Sequence, residues 1–300
     1  MFPNINGTTQ TYLANLEKDQ KQLQQAQAQI SSGMRLQQPS DDPAAVAEIL
    51  QTQAALARNK QIQNNLGGVK TEVDTADSVL QTAVQSVENA ISLAAQGATS
   101  TASAETRTNL AQQVAGLQQT LVGISQTNVN GHYIFSGDQD NQPPYQLDPN
   151  QPNGVTQLVT GSATRVIQSV DGTSFAVAKT AQEIFDSPAG SVFAAIQALQ
   201  TALVNNDTAG ITAASDSLKA ADTHLNGQLA FYGTVENRVQ DATTLAQKFQ
   251  TQQETELNQV RDADIPTLAI EISQLQIQQQ ASMSVEANLA QQKNLFSFLA

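Results

Sequence analysis

Apolar side chains recur at two different periods along this chain. Over residues 8–32, Leu16, Leu23 and Ile30 fall seven apart, with Tyr12 and Ala26 on the neighbouring face. So narrow a stripe suits a coiled-coil seam better than the broad face of an ordinary globular helix. The helix is predicted to stop at Ser32-Gly33, where glycine adopts the left-handed C-cap conformation. Pro39-Ser40-Asp41-Asp42-Pro43 then starts the next helix, with Asp42 as N-cap and Pro43 at the first helical position, where a missing N–H costs nothing. Both carboxylates suit the positive end of that helix. Val46, Ile49, Leu50, Leu56, Ile62 and Leu66 continue it, and Gly67-Gly68 predicts a kink or short break. Beyond it Val73, Leu80, Val87 and Ala94 repeat every seven residues, with Val69, Ala76, Ala83 and Ala90 as a companion row. Small residues over 97–104 predict a turn. Leu110, Val114, Leu117, Leu121 and Ile124 mark a further helix.

The period changes near residue 131. Residues 131–137, Gly-His-Tyr-Ile-Phe-Ser-Gly, read as β-like and bounded by glycines, and 138–154 reads as loop. Residues 155–159, 164–170 and 174–178 are strand candidates, with Asp171-Gly172 as a hairpin turn. Helical spacing resumes near Ser191 and holds from Thr208 to Asp262 without a proline. A last helix is predicted from about Pro266, with Leu268, Ile272 and Leu275 in one stripe that Val285 and Leu289 continue. The first and last helices both lack a partner within their own segment, so the simplest arrangement pairs the start of the chain with its end.

Composition narrows the function. The 300 residues carry 14 Lys+Arg against 27 Asp+Glu, a net charge of −13, which disfavours nucleic-acid binding for want of a basic face. Only 14% of residues are charged and 4% aromatic, so the chain is expected to rely on long helices and on neighbours. Cysteine is absent, excluding disulfides and thiolate chemistry. Residues Met1 to Asn6 show neither a basic nor an apolar signal region, so no cleavable secretory signal is expected. No apolar run is long enough for a membrane span. His132 and His224 lie far apart, and phosphate-loop, dinucleotide and nucleophile-elbow motifs are missing. Asp138-x-Asp140 lacks the glycine and final glutamate of a calcium loop. Asp41-Asp42 reads as helix capping rather than as an acid–base pair. The expectation is a structural protein and not an enzyme, with no metal and no cofactor.

Residues 29–36, Gln-Ile-Ser-Ser-Gly-Met-Arg-Leu, followed by Pro39-Ser40-Asp41-Asp42-Pro43, resemble the N-terminal signature of the flagellin superfamily. The form Pro-Ser-Asp-Asp-Pro, and Gly-His-Tyr-Ile-Phe-Ser-Gly over 131–137, are most similar to its hook-associated protein 3 family. Gln279-Gln280-Ala281-Ser282 running to Leu295-Phe296-Ser297-Phe298-Leu299 resembles the C-terminal ending, with a small departure at Phe296 to Leu299. The resemblance implies a mainly α fold: an elongated rod of long antiparallel helices, coiled-coil-like terminal helices and a small β-rich insert. The expected domains are 1–33 with 265–300 for assembly, 34–130 with 181–264 as helical rod, and 131–180 as β-rich outer domain.

The implied function is a structural ring that adapts the flagellar hook to the filament. Its alternatives are a filament flagellin or a helical-rod surface adhesin. Implied partners are further copies of the chain, hook-associated protein 1, flagellin, and an export chaperone at the C-terminal segment. The implied location is extracellular, reached by type III export. Leu16, Leu23, Ile30, Leu268, Ile272, Leu275, Leu289, Leu295, Phe296 and Leu299 are the candidate assembly residues. Gly33, Arg35, Asp41, Asp42 and Pro43 form the turn motif between the first two helices.

Overall fold

The computed structural model describes residues 7–296, leaving the side chains of 7–9, 286 and 289–296 outside the description. The fold is mainly α, as expected. Helices α1 (Gly7–Ser32), α2 (Pro43–Gly97) and α3 (Ala104–Ser125) precede a β-containing stretch, and α5 (Val192–Val204), α6 (Thr208–Arg261) and α7 (Ile265–Phe296) follow it. No described helix is long and apolar enough to cross a membrane.

The chain divides into two compact units, one of Met1–Arg58 with Gln250–Ala300 and the other of Asn59–Phe249. The boundaries fall inside α2 and α6 rather than in loops. The second unit holds the main core. Along α2, buried residues fall at Leu66, Val69, Val73, Ala76, Leu80, Ala83, Val87, Ala90 and Ala94, a strict alternation of threes and fours. Helix α6 repeats the pattern at Ile211, Ala214, Leu218, Ala221 and Leu225, then Tyr232, Val235, Val239 and Ala242. Alanine takes many of these positions on both helices, and the two rows belong to one buried cluster. Asn59 Nδ2 donates to Ala246 O at 2.9 Å, while a side chain at Gly97 would meet Leu203 and Ile211, so α2 and α6 run antiparallel. Helix α3 packs on α5.

The expected break at Gly67-Gly68 does not occur: α2 is continuous from Pro43 to Gly97. Both glycines lie on the exposed side in open space, between the buried Leu66 and Val69. Glycine costs about 1 kcal/mol in a helix, less than the roughly 1.5–3 kcal/mol gained by burying one such Leu or Val.

Four separate two-stranded antiparallel ladders lie between α3 and α5. Strand β1 (Asn128–Val129) pairs with β2 (His132–Tyr133), and β3 (Tyr145–Leu147) with β4 (Val155–Gln157). Strand β5 (Val166–Gln168) pairs with β6 (Ser174–Ala176), and the short helix α4 (Ala181–Phe185) leads to β7 (Asp186–Ser187) and β8 (Gly190–Ser191). The Asp171-Gly172 turn forms as predicted, with Gly172 at φ 86°. The β-like reading of 131–137 reduces to His132–Tyr133, because Asn130-Gly131 forms the turn and Phe135 leaves the ladder for the core. The loop reading of 138–154 missed β3, whose three residues lie between a proline-rich run and the turn ending at Gly154.

Five of the few aromatics hold this stretch to the helices. Phe135 stands edge-on to Phe185 at 6.0 Å and to Tyr232 at 6.2 Å; Phe193 stacks at a tilt on Tyr145 at 5.0 Å and on Phe185 at 5.8 Å. Arg165 pairs with Glu72 on α2, and Arg238 of α6 lies over the Phe175 ring. Asp138 accepts from Thr164, and Asp140 faces His132 Nδ1 at 3.0 Å, so each carboxylate already has a local partner. Among the described residues no cluster of three or more His, Asp or Glu could hold a metal ion.

Candidate functional site

In the first unit, α1 packs against α7. On α1 the covered positions include Tyr12, Leu16, Asp19, Leu23, Ala26 and Ile30, with Gln29 beside the last; on α7 they are Leu268, Ile272, Leu275, Gln279 and Ser282. Both sets step by threes and fours, the spacing of a coiled-coil seam. Six of the candidate assembly residues, Leu16, Leu23, Ile30, Leu268, Ile272 and Leu275, therefore lie on the two sides that meet. Leu289, Leu295 and Phe296 continue α7 with side chains outside the description, and Leu299 lies outside the described residues.

The seam is thin. Ala26, Ala45, Leu257 and Leu275 are the buried apolar residues among the described positions of this unit. Helix α7 also carries apolar side chains away from the seam. At 100° per residue, Ile270 and Ile277 point opposite to Leu268, Ile272 and Leu275. They are 62% and 66% exposed, and Met283 and Val285 are exposed as well. From Ile272 to Val285 there is no charged residue. An exposed helix face usually carries charge, so α7 presents an apolar side that the described residues leave uncovered.

A clip joins the connection between α1 and α2 to the connection between α6 and α7. Gly33, at φ 71°, ends α1 in the left-handed conformation and donates its N–H to Gln29 O at 2.8 Å. The chain then makes a minimal antiparallel ladder: Ala263 N–H to Gly33 O at 3.0 Å, and Arg35 N–H to Arg261 O at 2.8 Å. The same geometry sets α1 and α7 antiparallel. Arg35 reaches further with its side chain. Its Nε donates to Val260 O at 3.0 Å, one of the carbonyls that the end of α6 leaves unpaired, and Nη1 stands 3.5 Å from Asp42 Oδ2. One guanidinium thus faces both the negative end of α6 and the capping carboxylate of α2.

Asp42 caps α2 through Oδ1, which accepts from Ala45 N at 3.1 Å, and Pro43 is the first helical residue. Asp41 takes a different part. Its Oδ2 accepts from Gln37 N at 3.0 Å and Gln38 N at 2.8 Å, closing the turn instead of facing the helix end. Gln29 Nε2 to Arg35 O at 2.6 Å and Gln37 Nε2 to Ser32 Oγ at 2.6 Å complete the loop. Across the clip, Asp264 opens α7 by accepting from Thr267 Oγ1 and N. Those bonds, the side-chain one first, hold its carboxyl below the ordinary aspartate value.

Sequence reasoning placed Gly33, Arg35, Asp41, Asp42 and Pro43 in one motif but missed the other half of the clip, Val260 to Ala263. No repeat marks that half; only the neighbouring charges of Arg261 and Asp262, which bond each other at 2.7 Å, interrupt the helical pattern there.

Comparison with known proteins bears on the same segments. The family model of the bacterial flagellin N-terminal helical region matches residues 4–140, and that of the flagellin C-terminal helical region matches residues 215–299. No curated protein matches the sequence. Solved structures share the fold. A putative flagellar hook-associated protein of Vibrio parahaemolyticus is 18% identical, with a TM-score of 0.66 over 74% of this chain and 100% of its own. FlgL of Bacillus cereus is 16% identical, with a TM-score of 0.59 over 69% and 99%. The flagellar junction protein FlgL of Legionella pneumophila is 14% identical, with a TM-score of 0.58 over 72% and 100%.

Proposed function

The chain belongs to the bacterial flagellin family, and on that premise we propose that it is a structural subunit of the hook–filament junction. One observation carries the assembly reading. The first and last helices meet in a thin seam, and α7 keeps a second apolar side, around Ile270 and Ile277, that no described residue covers. A pair that buries so little gains most of its stability when neighbours arrive. The junction reading, as against filament, draws on the fold shared with hook-associated proteins and on the small β-containing stretch.

In this reading copies of the chain form a ring through their terminal helices, with hook-associated protein 1 on one side and flagellin on the other. Subunits leave the cell by type III export, and a chaperone covers the C-terminal segment beforehand. Leu16, Leu23, Ile30, Leu268, Ile272, Leu275, Leu289, Leu295, Phe296 and Leu299 belong to the assembling pair. The turn motif at Gly33, Arg35, Asp41, Asp42 and Pro43 sets its exit angle.

The test is deletion of the gene in the source bacterium, followed by electron microscopy and an assay of the medium for flagellin. Bare hooks with flagellin released as monomer are expected. Bare hooks without released flagellin would identify the chain as the filament subunit instead. Normal filaments would overturn both readings and redirect attention to residues 131–180 as an adhesive surface.

A further inference from the structure

We propose that Asn130 is a site of spontaneous backbone-assisted deamidation, with Asn128 as its brake. Asn-Gly is the sequence in which the following amide nitrogen most easily reaches the side-chain carbonyl, because glycine places no side chain in the way. Asn130-Gly131 forms the two-residue turn between β1 and β2, at φ 52° and 89°. Both residues are exposed, and the space where a Gly131 side chain would lie is open. The ladder they close has two residue pairs, Asn128 with Tyr133 and Val129 with His132, and beyond it Ile134 N–H donates to Thr127 O at 3.1 Å, so few bonds hold the turn closed.

The other Asn-Gly pairs among the described residues are held differently. Asn226-Gly227 lies in the middle of α6, with Asn226 Nδ2 donating to Asp222 O at 2.9 Å. Gly154, after Asn153, is buried and donates its N–H to Gln151 O at 2.9 Å. At the exposed turn a single side chain restrains the reacting nitrogen: Gly131 N–H donates to Asn128 Oδ1 at 2.8 Å. When the turn opens, that bond is lost. Hydroxide takes the Gly131 amide proton, and the nitrogen attacks Asn130 Cγ. A C–N bond forms as the Cγ–Nδ2 bond breaks, and the departing nitrogen takes a proton from water, leaving as ammonia and regenerating hydroxide. Water then opens the cyclic imide at either carbonyl, giving aspartate or isoaspartate. The product adds a carboxylate beside His132, whose Nδ1 lies 3.0 Å from Asp140, and the isoaspartate form lengthens the backbone of the turn by one carbon.

The full chain is incubated at pH 8.5 and 37 °C and sampled over weeks by peptide mapping with mass spectrometry and isoaspartate detection. Deamidation at Asn130 is expected at least about ten times faster than at Asn226 or Asn153, since its turn opens locally while theirs need a helix or a core to open. Asn128→Ala is expected to quicken it several-fold and leave the other two sites unchanged. An Asn130 that stays intact while a free peptide of residues 126–136 deamidates would overturn the proposal, as would equal rates at the three sites. An unchanged rate in Asn128→Ala would overturn the brake.

Discussion

Single side chains here join helices that are far apart in sequence, and their partners set the cost of removing them. Arg107, 6% exposed, faces carbonyls and not a carboxylate. Its Nε donates to Gly97 O at 2.8 Å and Nη2 to Thr99 O at 3.2 Å, while Nη1 meets Asn206 Oδ1. Gly97 ends α2, and Asn206 follows the end of α5, helices that carry no basic residue in their own last turns. Arg107 supplies that cation to both. Arg107→Leu is expected to cost about 1–3 kcal/mol in denaturant unfolding, since it leaves the buried Gly97 carbonyl without its donor. A loss under about 0.5 kcal/mol, the usual range for surface changes, would show that water replaces it.

Two phenols give a pH dependence. Burial, and for Tyr145 also Asp186, raises Tyr145 and Tyr232 well above the ordinary tyrosine value of 10.0. A folded value above the unfolded one means the contribution is complete below pH 10 and is lost as pH rises toward the folded values. Stability should therefore fall on the alkaline side. Tyr145→Phe should flatten that fall at the cost of one weak hydroxyl contact, 3.4 Å from Asp186. An alkaline limb of unchanged slope would count against the burial argument.

At the scale of elements, the two sides of α7 make different predictions. Leu23→Asp places a charge in the α1–α7 seam and is expected to separate the pair and abolish the proposed ring assembly, with residues 59–249 still folded by circular dichroism and amide exchange. Ile270→Glu with Ile277→Glu changes the opposite side. Seam protection by amide exchange should survive in that double variant while assembly is lost. Loss of the seam in the double variant, or normal rings from either, would contradict the assignment of sides.

How much of this was legible in the sequence depended on period. Heptad rows such as Val73, Leu80 and Val87 revealed α2, since burial on one side forces the spacing. The two-residue and three-residue strands gave too few positions for alternation to show, so β3, β7 and β8 stayed hidden. The Gly67-Gly68 signal misled because local propensity was overruled by the seam on either side. Arg35 could be marked from its motif, but its acceptor, Val260 O, is a backbone atom 225 residues away that leaves no trace in residue identity.

Across the whole molecule, buried apolar side chains are concentrated in the second unit, from Leu66 to Ala246, and sparse in the first. The first unit should therefore open at lower free energy. Brief digestion with a protease of broad specificity is expected to trim both ends and leave a fragment near 59–249, identified by mass spectrometry. Retention of residues 10–30 in the resistant fragment would contradict this ranking. The Asn59–Ala246 hydrogen bond has a temporal consequence. Met34 and Asp262 are too distant along the chain to meet early by diffusion, because closing so large a loop is slow. Once folding of the second unit has set Asn59 on Ala246, only the short stretches from 34 to 59 and from 246 to 262 remain to be closed. The clip is therefore expected to close late, once the middle of the chain has folded.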